Sequence, residues 1–471
     1  MSLRTVLMAG VAVAMLAAVP ALAEPVVIRI ASKDLLSTNP TDVAHVERIE
    51  AALAAQGHEI DLQMVDLPSS GYADALGVML LSGDIPDIIY FQGGDQAMAE
   101  QGILEDLRPW IAQSEHLQSA LFPHNVERLE NYPYLLYAYP LRIPQPVIRT
   151  DWLAATGLPA PTTVDEFTAL LTAVAQGDLD GDGTANTFGM TTADTTVELD
   201  AMFNRAFGIN STWMQNADGE WIASVVSDQE RAKLAYYRQL AEAGLYDTEY
   251  VSTNWELKED KFYTGRVGVI LGSSAEVIDI YGGKMRQVHP DTELTLIDPL
   301  LGPGGQGLTA VDVSKESRGL AVSALSEHKE EAFIVLDFLA SPEGQMLERM
   351  GFEGEHFTVN ADGSYEILPA MSTWYVRFMS SASWTPPASG MSPAALRSLE
   401  NLATWYTPDN VFVWPAEFAA DRDASINVYR QWVYRFVTGE ASLDADWDTF
   451  VAEWNAAGGQ NMTDYARTVL E

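Results

Sequence analysis

The alternation of segments between residues 26 and 91 constrains this chain more than any other feature. Val26–Ala31 alternates around Arg29 and reads as a strand. Asn39-Pro40 then opens a helix, with a side-chain acceptor ahead of a residue that suits the first turn. Val43, Val46, Ile49 and Leu53 keep one apolar stripe until Gly57. Glu59–Val65 returns to strand, residues 72–82 read as helix up to Gly83, and Asp87–Phe91 reads as a fully buried parallel strand. Strand, helix, strand, helix, strand at this spacing predicts the α/β class with right-handed crossovers.

A second helix start is signalled by Thr163-x-x-Glu166, where each side chain can satisfy the other's backbone donor. Phe167, Leu170, Leu171 and Val174 follow on one face, and Gly177 closes the helix. Arg266–Leu271 reads as a short strand, and Ser326–Leu339 and Asn427–Val437 as helices. Residues 298–307, with Pro299 and the glycines of Gly302–Gly307, read as a connection.

Charge excludes whole classes of partner. With 27 basic against 66 acidic side chains, a formal charge of −39, the chain repels a nucleic-acid backbone and disfavours an anionic membrane surface. A hydrophobic fraction of 47% with 12 tryptophans is ample for the cores of a multi-lobed chain of 471 residues. There is no cysteine, hence no disulfide framework, no thiol catalysis and no lipid-accepting thiol.

Met1–Ala23 has a basic start at Arg4, an apolar run from Val6 to Val19 and the small-residue ending Ala21-Leu22-Ala23. This is the layout of a secretory signal peptide cleaved before Glu24; the run is shorter than the ~20 residues that span a bilayer. The mature chain is expected in the periplasm, without a stable membrane anchor.

The sharpest chemical signal is Asp178-Leu179-Asp180-Gly181-Asp182-Gly183-Thr184-Ala185-Asn186. Oxygens at positions 1, 3, 5, 7 and 9 with glycine at 6 are what Ca²⁺ needs for a tight wrap. Asp178, Asp180 and Asp182 would offer carboxylates, Thr184 its carbonyl, and Asn186 a direct or water-mediated contact. Position 12 is Gly189 rather than a bidentate Glu, so Asp194 or Glu198 would have to close the shell. A solvated Asx turn is the alternative.

Four ordered segments resemble the large oligosaccharide-type solute-binding proteins of bacterial ABC importers (family 1, alginate-binding-like). Tyr72 through Ser82-Gly83-Asp84-Ile85-Pro86-Asp87-Ile88-Ile89-Tyr90 is similar to that family's "SGDLPDI" helix and strand. Val147-Ile148-Arg149-Thr150-Asp151-Trp152-Leu153, with Pro161-Thr162-Thr163, is similar to its "IRKDWL…PTT" segment. Gly351-Phe352-Glu353-Gly354-Glu355-His356-Phe357-Thr358 resembles its "GIEGEHYT" turn, and Phe436-Val437-Thr438-Gly439 with Asp446-Trp447-Asp448 resembles its ending.

The resemblance implies a two-lobed periplasmic-binding-protein fold. Each lobe would be a mostly parallel sheet flanked by helices, and a multi-strand hinge would join them. It places residues 24–144 and 298–350 in the N-terminal lobe, and 145–297 and 351–471 in the C-terminal lobe. A sugar would be held between the lobes and delivered to permease subunits. A single-chain cleft needs no second copy, so a monomer is expected.

Flat rings ringed by polar side chains make a carbohydrate site. Candidates in loops or after strands are Trp213, Trp374, Trp384, Trp405 and Trp414, with Gln92 and Asp95 after Asp87–Phe91, Arg142 at the first crossing, and Ser273 with Ser274 after Arg266–Leu271. Any single large aromatic is more often core. A glycoside hydrolase or lyase is the second reading, needing two convergent carboxyls; no catalytic residue is assigned. The acidic chain favours a neutral mono- or oligosaccharide unless the cleft itself gathers several Arg or Lys. Peptides and polyols are further options.

Overall fold

The computed structural model describes residues 24–33, 35–69, 71–385 and 391–470. The signal-peptide expectation for Met1–Ala23 lies outside the described residues.

Val26–Ala31 pairs in parallel with Ile60–Met64 on one side and with Ile88–Gln92 on the other. Arg318–Val322 adds an antiparallel edge, with Arg318 opposite Gln92 and Val322 opposite Ile88. The first crossover helix, Pro40–Ala55, starts as expected: the Asn39 side chain accepts from the Thr41 N–H at 2.9 Å. It turns Val46, Ile49 and Leu53 onto the sheet. Together with Ile28, Ile88, Leu336 and Leu339 they form a first core, which also takes in Phe378 and Met379 from far along the chain.

The second sheet has the order Phe188–Met190, Val267–Ser273, Pro144–Arg149, Leu294–Leu296. Only the pair Phe188–Met190 with Val267–Ser273 is parallel. Pro144–Arg149 runs antiparallel to both neighbours. The expectation of a mostly parallel sheet thus holds in the first lobe and is corrected in the second. The reason is topological: the chain comes into this lobe on Pro144–Arg149 and leaves it through Leu294–Leu296, so adjacent strands carry it in opposite senses.

The helix Val164–Gln176 has the reciprocal cap read from the sequence, with Glu166 N–H donating to Thr163 Oγ1 at 3.1 Å and Thr163 N–H to Glu166 Oε2 at 3.2 Å. Phe167, Leu170, Leu171 and Val174 are fully buried. At ~1.5–3 kcal/mol for each such side chain, packing outweighs a capping contribution of ~1 kcal/mol in holding this helix. The helix expected at Asn427–Val437 is longer, Ala419–Thr438, and the one expected at Ser326–Leu339 begins at Lys329.

Among the described residues, the chain passes between the cores near Tyr139–Ile143 and along residues 297–317; beyond Met379, which lies in the first core, it is back in a second-lobe core by Ala394. The second passage explains its glycines. Gly304 N–H donates to the Ala206 carbonyl at 2.7 Å, and a Cβ on Gly304 would lie 2.0 Å from the Gly208 nitrogen. Only a bare backbone fits there.

Candidate functional site

Strand alternation puts Tyr90 and Gln92 on one face at the carboxyl end of Ile88–Gln92. Antiparallel pairing then sets Arg318 directly beside Gln92. From the first crossing come Tyr137 and Tyr139, their rings 4.7 Å apart and tilted by 32°. The Arg142 guanidinium covers the Tyr139 ring at 4.4 Å, and its Nη2 reaches Glu276 Oε2 at 2.7 Å. Glu276 lies in the first turn of Ser274–Val288, the helix that follows Val267–Ser273. Arg142 therefore ties the first crossing to the helix that follows the carboxyl end of Val267–Ser273, and its charge also acts on Tyr90 near the carboxyl end of Ile88–Gln92. α/β folds place ligands at such ends.

Arg349, from the last turn of Pro342–Met350, completes the group with its guanidinium 5.8 Å from the half-buried Trp384 ring. Behind Tyr137, at 4.3 Å, lies Arg128, whose Nε donates to the Val313 carbonyl at 2.8 Å.

Burial raises the Tyr90 phenol, with Tyr137 adding to the effect and Arg318 and Arg142 opposing it. It raises Tyr139 well above its ordinary value. Both therefore remain neutral hydroxyls near pH 7. Burial works against the charge on Arg142, but Glu276, Tyr137 and Tyr139 outweigh it and raise the pKa. The site presents ring faces, neutral hydroxyls and fixed guanidinium donors, a combination able to stack on a sugar face and hydrogen-bond its oxygens.

A cavity of about 750 Å³ opens beside this group and shares Glu276 and Arg349 with it. It runs along Ser274–Val288 past Asp279 and Gln287 to Met371 and Trp374. Its volume is in the range of small-molecule sites. Burial pushes the Asp279 carboxyl up, against hydrogen bonds from Ser392.

The aspartate-glycine loop is a separate, exposed site. Carboxylate oxygens of Asp178, Asp180 and Asp182 lie within 4.8 Å of one another. Gly181 and Gly183 take φ of +76° and +89°, and the Gly183 N–H donates to Asp178 Oδ2 at 3.1 Å. Asp182 accepts from Thr184 N–H at 2.7 Å and from Asn186 Nδ2 at 2.9 Å, and these bonds hold its carboxyl below the ordinary range. The convergent acids fit a hard cation; the far side of the shell fits less well. Glu198 is committed to Lys258 at 2.6 Å, so it does not close the shell. Asp194 stands in a left-handed turn (φ 60°), its N–H bonded to the Tyr250 and Thr253 carbonyls.

Residues 44–346 match the family described as bacterial extracellular solute-binding protein. The chain belongs to that family. This solute-binding protein is 22% identical over 436 residues to the polygalacturonan/rhamnogalacturonan-binding protein YtcQ of Bacillus subtilis, covering 86% of this chain and 84% of the relative. It is 23% identical over 335 residues to the lipoprotein LipO of the same organism, covering 66% of this chain and 64% of the relative. Among solved structures, the alginate-binding protein AlgQ2 without calcium ion superimposes with a TM-score of 0.70 at 16% identity, covering 95% of this chain and 98% of that one. An EF-hand mutant of the Streptococcus pneumoniae substrate-binding protein FusA, in complex with fructo-nystose, gives 0.64 at 18%, covering 95% and 98%. The fold is thus the two-lobed solute-binding fold. Among the described residues, no helix is long and apolar enough to cross a membrane.

Of the side chains singled out in the sequence, this solute-binding protein brings Gln92, Arg142 and Trp384 to the group around Tyr139. Ser273 is near: it closes its strand opposite Pro144 and leads into the Glu276 helix. Asp95 is fully buried and accepts from the Ser317 hydroxyl, so it serves the interior.

Two tryptophans are core rather than surface. Trp213 is 2% exposed and stacks on Phe412 at 6.2 Å. Trp374 packs on Phe352 and His356, donates to the Glu348 carbonyl at 2.8 Å, and borders the cavity. Trp405 and Trp414 are half-buried against the second core, Trp414 among Phe412, Phe418 and Tyr465.

The sequence reading passed over Tyr90, Tyr137, Tyr139, Glu276, Arg318 and Arg349. Two of its own patterns pointed to the first three: Tyr90-x-Gln92 and Tyr137-x-Tyr139 each place two polar-tipped residues on one face of an extended segment.

Proposed function

We propose that this protein captures an oligosaccharide between its lobes and hands it to the permease subunits of an ABC importer. The observation that carries the proposal is the Arg142 group, where tyrosine rings and guanidinium donors gather near the carboxyl ends of Ile88–Gln92 and Val267–Ser273. Membership of an extracellular solute-binding family, and relatives whose names state polygalacturonan/rhamnogalacturonan or fructooligosaccharide binding, support it.

The lobes in this reading are residues 24–144 with 298–350, and 145–297 with 351–471. The two cores support that division, except that Phe352, Trp374 and Arg377 pack on the first lobe's helix Pro40–Ala55 and Phe378 and Met379 lie in the first core. The protein acts in the periplasm as a monomer, after removal of Met1–Ala23.

The reading is of a non-enzyme. A glycosidase needs two opposed carboxyls; Glu276 is ion-paired, and Asp279 stands one turn along the same helix, on the same side, and accepts from the Ser392 N–H. Ca²⁺ held by Asp178, Asp180, Asp182, Thr184 and Asn186 would brace the loop, remote from the sugar; the convergent carboxylates and the EF-hand of a structural relative support it. Titration of the protein with an oligosaccharide panel, with the sugars analysed afterwards, tests the proposal. Saturable binding with intact sugar is expected, and turnover would overthrow it.

A further inference from the structure

Most basic side chains in so acidic a chain find a carboxylate, yet two arginines at the site do not: among the described residues, neither Arg318 nor Arg349 has a carboxylate within 4.0 Å. Arg318 leans on the Tyr137 hydroxyl, while the Arg349 guanidinium makes no hydrogen bond to a described residue. Both are half-buried. Arg318 faces the Tyr90 and Tyr137 hydroxyls from beside Gln92, and Arg349 lies against Trp384 and borders the cavity. Arg142, by contrast, is neutralised by Glu276, and Arg128 is committed to Val313 and, at 3.5 Å, to Glu316. Five other described arginines also lack a carboxylate, but Arg266, Arg422 and Arg430 are exposed, Arg205 bonds Asn210 and Arg435 lies on the Trp432 ring.

Taking a guanidinium out of water without a carboxylate in contact is unfavourable. Burial lowers the pKa of Arg349, with Arg142 adding to the effect against Glu276, whereas on Arg318 burial is outweighed by the Tyr90 and Tyr137 phenols and Glu316, which raise it. The arrangement is relieved when a ligand supplies the anion. We infer that the solute is an anionic oligosaccharide, carrying carboxylates that Arg318 and Arg349 receive while the tyrosine and tryptophan rings pack on its sugar faces. The inference rests on the oligosaccharide reading above and replaces the neutral sugar expected from the chain's overall charge. That charge does not exclude an anion. At physiological ionic strength the screening length is ~8 Å, so distant surface acids are damped while two guanidiniums at the site act at contact. Planar carboxylates match the guanidinium fork, which favours uronate units among anionic sugars.

The test is calorimetric titration of the full chain with trigalacturonate and, in parallel, with its fully methyl-esterified form, which keeps the rings and removes the charge. The expected result is at least tenfold tighter binding of the acid, a preference that shrinks as salt is raised, and a loss of that preference in Arg318→Gln and Arg349→Gln. Melting curves of both variants check that they fold, and the comparison on the unaltered protein needs no variant. Equal or tighter binding of the ester, or of neutral oligosaccharides alone, overturns the inference and leaves the oligosaccharide reading standing. Binding of no acidic or neutral oligosaccharide in a broad panel overturns both.

Discussion

Arg142 Nη2 lies 2.7 Å from Glu276 Oε2, joining the segment that leaves the first core to the helix that begins the far wall of the site. Both side chains keep about a third of their surface exposed, 30% and 31%. A pair this wet contributes ~0–1 kcal/mol to folding, so its value lies in geometry. Arg142→Gln should lower the melting temperature by no more than ~2–4 °C. It should weaken oligosaccharide binding by about ten- to a hundredfold, because the Tyr139 ring loses its cover and the first crossing loses its tie to the Glu276 helix. Paired melting and titration measurements separate the two effects.

A very different ion pair anchors the first lobe. Arg377 Nε donates to Asp42 at 2.8 Å with both side chains essentially inaccessible (1% and 0%), while Glu348 accepts from the backbone N–H of Phe378 at 2.8 Å and contacts His45 at 2.6 Å. These bonds hold Phe378 and Met379 in the first core. Arg377→Met leaves Asp42 as a buried, uncompensated charge and should cost ~3–5 kcal/mol. Urea unfolding of the variant reads this loss directly.

Acid should weaken the fold near the site. His124 Nε2 donates to the Tyr139 carbonyl at 2.8 Å, and burial lowers its pKa below 6.5, with Arg128 adding to the effect and the bond to Tyr139 opposing it. His356 is lowered as well, by burial first. A histidine depressed in the folded state binds its proton more readily when unfolded, so stability is full above pH ~6.5 and declines as pH falls toward the folded pKa. Stability profiles should therefore slope downward below about pH 6.5, and His124→Gln should flatten part of that slope. An unchanged profile in that variant would remove His124 as a cause.

The acidic loop gives a metal-dependent prediction. If Asp178, Asp180 and Asp182 hold Ca²⁺, metal-stripped protein should gain ~2.7 kcal/mol at a hundred times the dissociation constant. Asp180→Asn should abolish most of that gain and leave sugar affinity unaltered, since the loop lies apart from the Arg142 group. A melt indifferent to Ca²⁺ would make the loop a plain Asx turn.

Much of the scaffold was legible because it is written locally. The stripe from Val46 to Leu53, the cap at Thr163 and Glu166, and the buried run around Ile88 each declare themselves within a few residues. The sense of the second sheet was not legible, because it depends on where Pro144–Arg149 finds its partners more than a hundred residues away. The site was half legible. Gln92 and Arg142 stand where a strand end and a crossing put them, but Arg318 comes beside Gln92 only through antiparallel pairing, and Arg349 through packing near Trp384. Trp213 misled because a tryptophan in a short segment carries no periodicity to say which way it faces; Trp374, though packed in the interior, still borders the cavity.

The most direct test of the account is a calorimetric titration of the mature chain against acidic and neutral oligosaccharides, followed by mass analysis of the recovered sugar. The account predicts saturable binding near one sugar per chain, lost or much weakened in Arg142→Gln, with the sugar returned intact. Cleavage of the sugar, or binding indifferent to Arg142, would contradict it.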